Sequence, residues 1–499
     1  MSAPAWRFVW NGEVVPRSSI AQLEVASFSA ALVEAVQAGG RVAAFFAVPE
    51  PEAPGGAPSA QLYAVLAGLE DARLALLSSH VTKSFASLTN ELPQLQLFER
   101  EIFEQSGIVP EGHPRLTPLR QPLQWRGDDP QTPHARVEGE EVHEVAVGPV
   151  HAGVIEPGHF RFQCHGERVF QLEIDLGFQH RGVEEALRQL PARRGIFIAE
   201  TLAGDTSLGH ASAYAGVQEA LCDARISART SALRALGLEL ERIANHTGDL
   251  GALAGDVGFL PTASFCGRIR GEFLQLTALL CGSRFGRGFV RPGRRGCDLD
   301  AALAKTLHGK LGAAFRDTRN AVELLWNSPS ARARFEGIGV VPGRQARELG
   351  LVGPVARASG LACDTRRDFP TGTYRFHQPN QATLSTGDVF ARASLRWLEI
   401  THSVAFLKEL LADLPEAEAD VPLGPMREDS CVVSLAEGWR GEILHMALSG
   451  SAGHLDHYKV VDPSFHNWPG LEQCLRGEQI SDFPICNKSF NLSYCGHDL

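Results

Sequence analysis

No cysteine occurs before Cys164 in this chain, and the ten in the whole sequence include no Cys-x-x-Cys pair. Single, scattered thiols of this kind argue against a disulfide framework or a thiolate metal site and read as reduced core residues. Basic charge is also short: 47 Lys and Arg face 58 Asp and Glu, a net charge of −11. A nucleic-acid-binding chain would show a basic excess or stripe, so that class is set aside. No apolar run approaches the roughly eighteen residues of a membrane span. The opening Met1-Ser-Ala-Pro-Ala-Trp-Arg-Phe8 lacks a basic region leading into an apolar core, so no secretory signal is expected. A Gly-x-Ser-x-Gly elbow, a Rossmann glycine fingerprint, a Gly-Lys-Ser/Thr phosphate loop and an internal repeat are all missing. These absences leave a soluble, cytoplasmic chain, held at a membrane only through partners.

What is present is ordinary for a globular protein: 44% hydrophobic and 21% charged residues over 499 positions, enough for two or three cores. The cysteine-free part ends in a Pro-, Gly- and charge-rich passage from Val109 to Glu141, which reads as an inter-domain linker. The expected organisation is α+β. A small α/β N-terminal domain occupies 1–120, a linker 121–141, and a large, mainly helical domain beginning with a β-hairpin fills 142–499. In the small domain, Arg41–Val48, Leu62–Leu66 and Leu74–Leu77 are short apolar runs suited to strands, and Pro51–Pro58 is a loop. Part of Ser84–Ser106 looks helical, with Glu99, Glu101 and Glu104 on a solvated face.

The large domain opens on the stretch that organises the chain. Gly148-Pro149-Val150-His151 leads to Glu156-Pro157-Gly158-His159. Phe160, Phe162 and Cys164 then alternate with polar residues. After a turn at His165-Gly166-Glu167, Phe170, Leu172, Ile174 and Leu176 alternate again, a hairpin with one buried face. A helical segment with His210 and Tyr214 follows. Histidines in a Gly/Pro-rich loop beside a hairpin and a polar helix can frame an enclosed polar site, although by chemistry alone surface histidines are the plainer reading. Farther on, Leu233, Leu236, Leu240, Ile243 and Leu250 form one helical stripe, with His246 near it as a core histidine. Gly286–Gly296 is a basic, solvated loop. Gly387 to Glu399 starts another amphipathic helix, and the spacing of His454 and His457 would suit one turn of helix but lacks a third metal ligand.

Taken in order, these segments resemble a fused form of two peripheral-arm subunits of respiratory complex I, the 30 kDa and 49 kDa types. The same fusion occurs in the large subunit of group 4 membrane-bound nickel–iron hydrogenases, as in formate hydrogenlyase and hydrogenase 4. Phe98-Glu-Arg-Glu101 through Gly112-His-Pro114 is similar to the 30 kDa signature. Gly148–Arg161, His180-Arg-Gly-Val-Glu184, Glu239–His246, Asp256-Val-Gly-Phe259, Gly353–Gly360, Gly387–Arg392 and Arg440-Gly-Glu442 are similar to the larger partner.

In such hydrogenases four cysteines hold the nickel–iron centre, because soft thiolates bind nickel and low-valent iron strongly. The resemblance puts Ala203 and Thr206 at the first pair of positions, and Ser493 and Gly496 at the second. Cys495 and Cys486 are near the second pair but off it. No metal site is therefore expected, and no cofactor bound by this chain itself. With the sequence stopping at Leu499, no maturation cleavage is expected either. In complex I a histidine of the early loop and a tyrosine of the following helix hold the quinone headgroup. His159 is the best match for that histidine and His151 the second, both able to donate a hydrogen bond or proton. The tyrosine position falls near Gly204, which has nothing to donate, and Tyr214 lies too far along. Asp205, His210 and Asp498 are the polar residues expected around the cavity where a metal would sit.

The resemblance implies a subunit of a complex I- or hydrogenase-related oxidoreductase, peripheral on the cytoplasmic face of the inner membrane. Its partners would be an iron–sulfur small subunit, which carries the clusters, and antiporter-like membrane proteins. The chain would itself form the cavity next to that small subunit, with quinone or another small acceptor as the candidate ligand. The alternatives are a structural subunit that couples conformational change to an ion-translocating partner, and a hydrogenase with unorthodox ligands.

Overall fold

The computed structural model describes residues 6–51, 57–120, 136–139, 141–151, 155–416 and 418–499. The linker expected at 121–141 and the middle of the Pro51–Pro58 loop lie largely outside these residues. The chain begins with β1 (Arg7–Trp10) and β2 (Val14–Pro16), followed by α1 (Val25–Gln37). The three expected apolar runs then form β3 (Arg41–Pro49), β4 (Ser59–Glu70) and β5 (Arg73–Thr82), in a sheet ordered β1–β5–β4–β3. Val42 to Ala47 of β3 are all buried. A strand apolar at every position needs cover on both faces. Here Phe45 meets Phe28 of α1 with ring centroids 6.1 Å apart, while the adjacent Phe46 stacks on His457, 5.2 Å away.

Helix α2 (Gln96–Ser106) corrects one expectation, because Glu99 and Glu101 are buried rather than solvated. Glu99 accepts hydrogen bonds from the Leu88 N–H and the Thr89 hydroxyl, both at 2.7 Å. Glu101 is held by Arg120 at 2.7 Å and Lys459 at 2.6 Å. These partners are supplied by distant segments, so the helix's own pattern could not announce them.

The expected hairpin is present as β7 (His159–His165) and β8 (Arg168–Asp175), joined on its other side by β6 (Val142–Val147). Phe160 is paired with Ile174 and Phe162 with Leu172, so the alternating apolar positions share one face. Five long helices follow: α3 (Ser207–Leu221), α4 (Ala228–Asp256), α5 (Leu260–Cys281), α6 (Ala301–Trp326) and α7 (Val389–Ala412). The stripe from Leu233 to Leu250 is buried where α4 packs on α5 and α7. Ser227 caps α4 through the Thr230 N–H at 3.2 Å, and Asp388 caps α7 through the Ala391 N–H at 2.8 Å.

The sequence pattern did not reveal the last sheet. It consists of β9 (Ser430–Gly438), β10 (Gly441–Ser449) and β11 (Leu455–Val461), and β2 joins its edge to give the order β11–β10–β9–β2. This sheet is a wall between two cores. Cys431, Val433 and Leu435 pack into the N-terminal core, while Val432 packs into the helical one and Ser434 sits against Gly216 of α3. With both faces buried there is no alternation to read. His454 immediately precedes the last strand of this sheet and His457 lies within it, so the two do not share a helix turn. Helices α8 (Pro463–Cys474) and α9 (Tyr494–Asp498) close the chain. All ten cysteines are free, and no helix among the described residues is long and apolar enough to cross a membrane. The class is α+β, as expected.

Candidate functional site

Four segments converge around Thr206 and Gly496, two of the positions that the resemblance aligns with thiolates. Ala203, Asp205 and Thr206 lead into α3, and Trp439 and Arg440 form the turn between β9 and β10. Asp462 caps α8, accepting from the Ser464 N–H at 2.7 Å, and Gly496 lies in α9. Arg440 grips Asp205 with two bonds, Nη1 to Oδ1 at 2.6 Å and Nη2 to Oδ2 at 2.8 Å. The guanidinium lies 3.9 Å over the Trp439 ring, and its Nη1 also donates to the Thr206 hydroxyl at 3.2 Å. The Trp439 Nε1–H donates to that same hydroxyl at 3.1 Å. Burial works against the Asp205 charge, but the guanidinium outweighs it and holds this carboxyl below its usual range.

Asp462 stands beside this pair. A Cβ placed on Gly496 would come 2.6 Å from the Asp462 carboxyl carbon, so no larger residue fits there without displacing it. The Asp462 Oδ2 meets His210 Nε2 at 2.9 Å. His210 Nδ1 meets His445 Nε2 at 3.1 Å, and His445 Nδ1 meets the Tyr458 hydroxyl at 2.9 Å. This is a buried chain of four groups in which each ring nitrogen has a partner. Burial and then the neighbouring His210 push His445 well below its ordinary pKa. Burial likewise opposes the Asp462 charge, yet the His210 bond and Arg440 keep that carboxyl low. Glu241 of α4 behaves in the opposite way. It accepts from the Leu208 and Gly209 N–H groups at 2.7 and 3.1 Å, at the start of α3, but burial outweighs these bonds and pushes it up to about 8.

The other expected residues go elsewhere. Ser493 caps α9, accepting from the Gly496 N–H at 2.9 Å. Asp498 accepts from the Gly177 and Gln179 N–H groups at 2.8 and 2.9 Å and bonds His497, so its partners are not those of Asp205 and His210. His151 Nε2 is 2.8 Å from the Gly158 carbonyl, and His159 Nδ1 lies at a loose 3.4 Å from the Gly148 carbonyl. Their loop touches the opposite side of α9, where Gly158 abuts the Tyr494 ring. Tyr214 is fully buried, with its hydroxyl on the Ala192 carbonyl at 3.3 Å.

Behind Trp439 lies a second buried polar system. Arg357 bonds Glu399 at 2.6 Å and Glu437 at 2.8 Å; Arg366 bonds Glu239 at 3.0 Å and Asp364 at 2.6 Å. His246, the expected core histidine, meets Glu399 at 2.8 Å. Among the described residues no group of three or more His, Cys, Asp or Glu is arranged to hold a metal ion.

Residues 31–141 match the family described as the respiratory-chain NADH dehydrogenase 30 Kd subunit, and residues 256–429 match its 49 Kd subunit. The chain joins both complex I types in one polypeptide. The fused 30/49 kDa-type chain is also similar to the carbon monoxide-induced hydrogenase of Rhodospirillum rubrum, 28% identical over 70% of this chain and 97% of that protein. Hydrogenase-4 component G of Escherichia coli (strain K12) is 27% identical over 83% of this chain and 75% of its own. The C/D-type component of the NADH-quinone oxidoreductase of Bacteroides thetaiotaomicron is 27% identical over 69% of this chain and 72% of its own.

Sequence reasoning missed Asp462, His445 and Trp439, and met Arg440 only as part of a matching motif. The Asp462-Pro463-Ser464 run carries a helix-cap signal, but nothing local tells that the carboxylate also faces His210.

Proposed function

We propose that this chain is a nickel-free subunit of a membrane-associated oxidoreductase complex related to complex I and to group 4 hydrogenases. The observation that carries the proposal is the Arg440–Asp205 ion pair beside Thr206, with Asp462 pressed against Gly496. Nickel and low-valent iron take soft thiolates. The four positions offer two hydroxyls, a methyl and no side chain at all, next to a fixed guanidinium whose charge opposes a metal cation. These residues do not fit the centre, and no chemical step is assigned to one. An iron–sulfur small subunit and antiporter-like membrane proteins are the partners in this reading, on the cytoplasmic face of the inner membrane. In the same reading the loop holding His159 faces the small acceptor, and His159 hydrogen-bonds or protonates a quinone oxygen, with His151 behind it. The loose 3.4 Å contact of His159 supports this, since little is lost when the ring turns to a ligand.

Purification from native membranes in mild detergent, with mass spectrometry and metal analysis, tests the setting. Co-elution of an iron–sulfur subunit and antiporter-like proteins without nickel is expected. Stoichiometric nickel would restore the reading as a hydrogenase with unorthodox ligands. In the purified complex, His159→Ala should abolish electron transfer while assembly is unchanged; unaltered turnover removes His159 from the mechanism. A second reading, a structural subunit coupling conformational change to an ion-translocating partner, is favoured by one observation. The polar groups around the four thiolate positions satisfy one another, which leaves little to bind a substrate. Recovery of the chain with non-redox transport proteins alone would select it.

A further inference from the structure

A cavity of about 260 Å³ lies where α2 and the segment after it meet β8 and α8, away from the Asp205 cluster. Its walls hold hydrogen-bond donors with nothing to donate to among the described residues. The Trp468 side chain is 3% exposed and its Nε1–H has no partner there, and the Arg115 Nε–H is also buried and unpartnered. Arg100, 6% exposed, gives Nε to the Thr117 carbonyl and Nη2 to the Pro118 carbonyl, both at 2.9 Å, and forms no ion pair with a described carboxylate. A buried guanidinium with no carboxylate in ion-pair contact and a buried indole N–H without an acceptor are each costly, and an unpaired buried donor calls for a ligand or a water. Arg476 stands exposed on the same wall.

We propose that this cavity binds a small oxyanion, the tetrahedral or carboxylate group of a metabolite, between Arg100 and the Trp468 indole. Glu472 sets its pH dependence. It lines the cavity, takes the Ile174 N–H at 3.0 Å, and burial pushes it up to about 7 in spite of Arg115 and Arg100. The charged and titratable groups facing it are Arg100 and His113 from α2 and the segment beyond, Arg115 beside them, Glu173 and Asp175 of β8, Arg476 just after α8, and His497 of α9. Arg115 is already paired with Asp175 at 2.7 Å, and burial pushes His113 down toward its neutral form. Glu472 is therefore the group that gains a proton as an anion enters, and affinity falls as pH rises past 7.

Calorimetric titration of the full chain with sulfate, and separately with succinate, tests this. Sulfate keeps its charge between pH 6.5 and 8.5, so binding should weaken by about twentyfold over that range through Glu472 alone. Binding of sulfate only, or of succinate only, decides which oxyanion class the cavity takes, and either result supports the proposal. Trp468→Phe keeps the packing and removes the donor; it should weaken binding by roughly tenfold. Arg100→Gln should abolish it, and Glu472→Gln should remove most of the pH dependence. Absence of binding to both probes at about 10 mM, or wild-type affinity in Trp468→Phe, overturns the site.

Discussion

The two sides of α9 are opposites. On one, Gly496 backs onto Asp462, and the Asp205–Arg440 and His210–Asp462 pairs consume one another's charge. On the other, Gly158 backs onto the Tyr494 ring, and His151 and His159 are held by carbonyls of their own loop. A buried polar site whose donors and acceptors match is a scaffold, because any ligand must first break what is there. A histidine resting loosely on a backbone carbonyl can exchange that contact for a ligand at little cost. In the proposed function, the chemistry belongs to the second side.

The largest test of this contrast is Arg440→Met. It leaves Asp205 without its cation and Asp462 with His210 alone, and with Asp205 a third exposed the loss should be about 3 kcal/mol by denaturant unfolding. A loss below about 1 kcal/mol would make the pair an ordinary surface bridge and the scaffold reading untenable. Gly496→Ala should cost about 2 kcal/mol, because its new methyl group meets the Asp462 carboxylate. Wild-type stability in that variant would show that Asp462 moves freely. Glu241 gives the next effect. Its folded-state pKa is raised, so the native state holds the extra proton between roughly pH 4.3 and 8, and stability falls as pH rises through that window, by at most about 1.4 kcal/mol per unit. Glu241→Gln should flatten the denaturation midpoint against pH there; an unchanged slope removes Glu241 as its source. Asp462 has the opposite sign, since its lowered pKa gives stability that is present above about pH 4 and lost in more acid solution. Smallest of all, His159→Asn should change stability by less than about 0.5 kcal/mol. A larger loss would place the loop with the scaffold.

The parts of the fold that were legible in the sequence were those whose apolar side chains share one face. Phe160, Phe162, Leu172 and Ile174 lie on one face of β7 and β8, and Leu233 to Leu250 on one stripe of α4; the polar residues between them, such as Arg161, Glu173, Glu239 and Arg242, are buried as well, in ion pairs that the pattern does not show. The wall of β9 to β11 was hidden because Val432 and Val433 serve different cores, so its strands show no period. The candidate site was legible by half. His210 and Asp205 could be named from their positions in a recognisable motif, but Asp205 meets Arg440 across 235 positions and His210 meets Asp462 across 252. Ion pairs between segments so far apart leave no local spacing. The burial of Glu101 through Lys459, 358 positions away, was misread for the same reason.

The pairing of β2 with β9 sets a timetable for the growing chain. Val14 lies opposite Val432 and Pro16 opposite Ser430, and Asn11 bonds the backbone of Leu435 at 2.8 and 3.1 Å. A ribosome releases β2 first and its neighbour near the end, roughly 20–80 s later at ordinary elongation speeds. During that interval the N-terminal sheet presents the apolar face that Phe46 later closes against His457. Until the last strands emerge that face has no cover from the chain itself, and the two regions mature together.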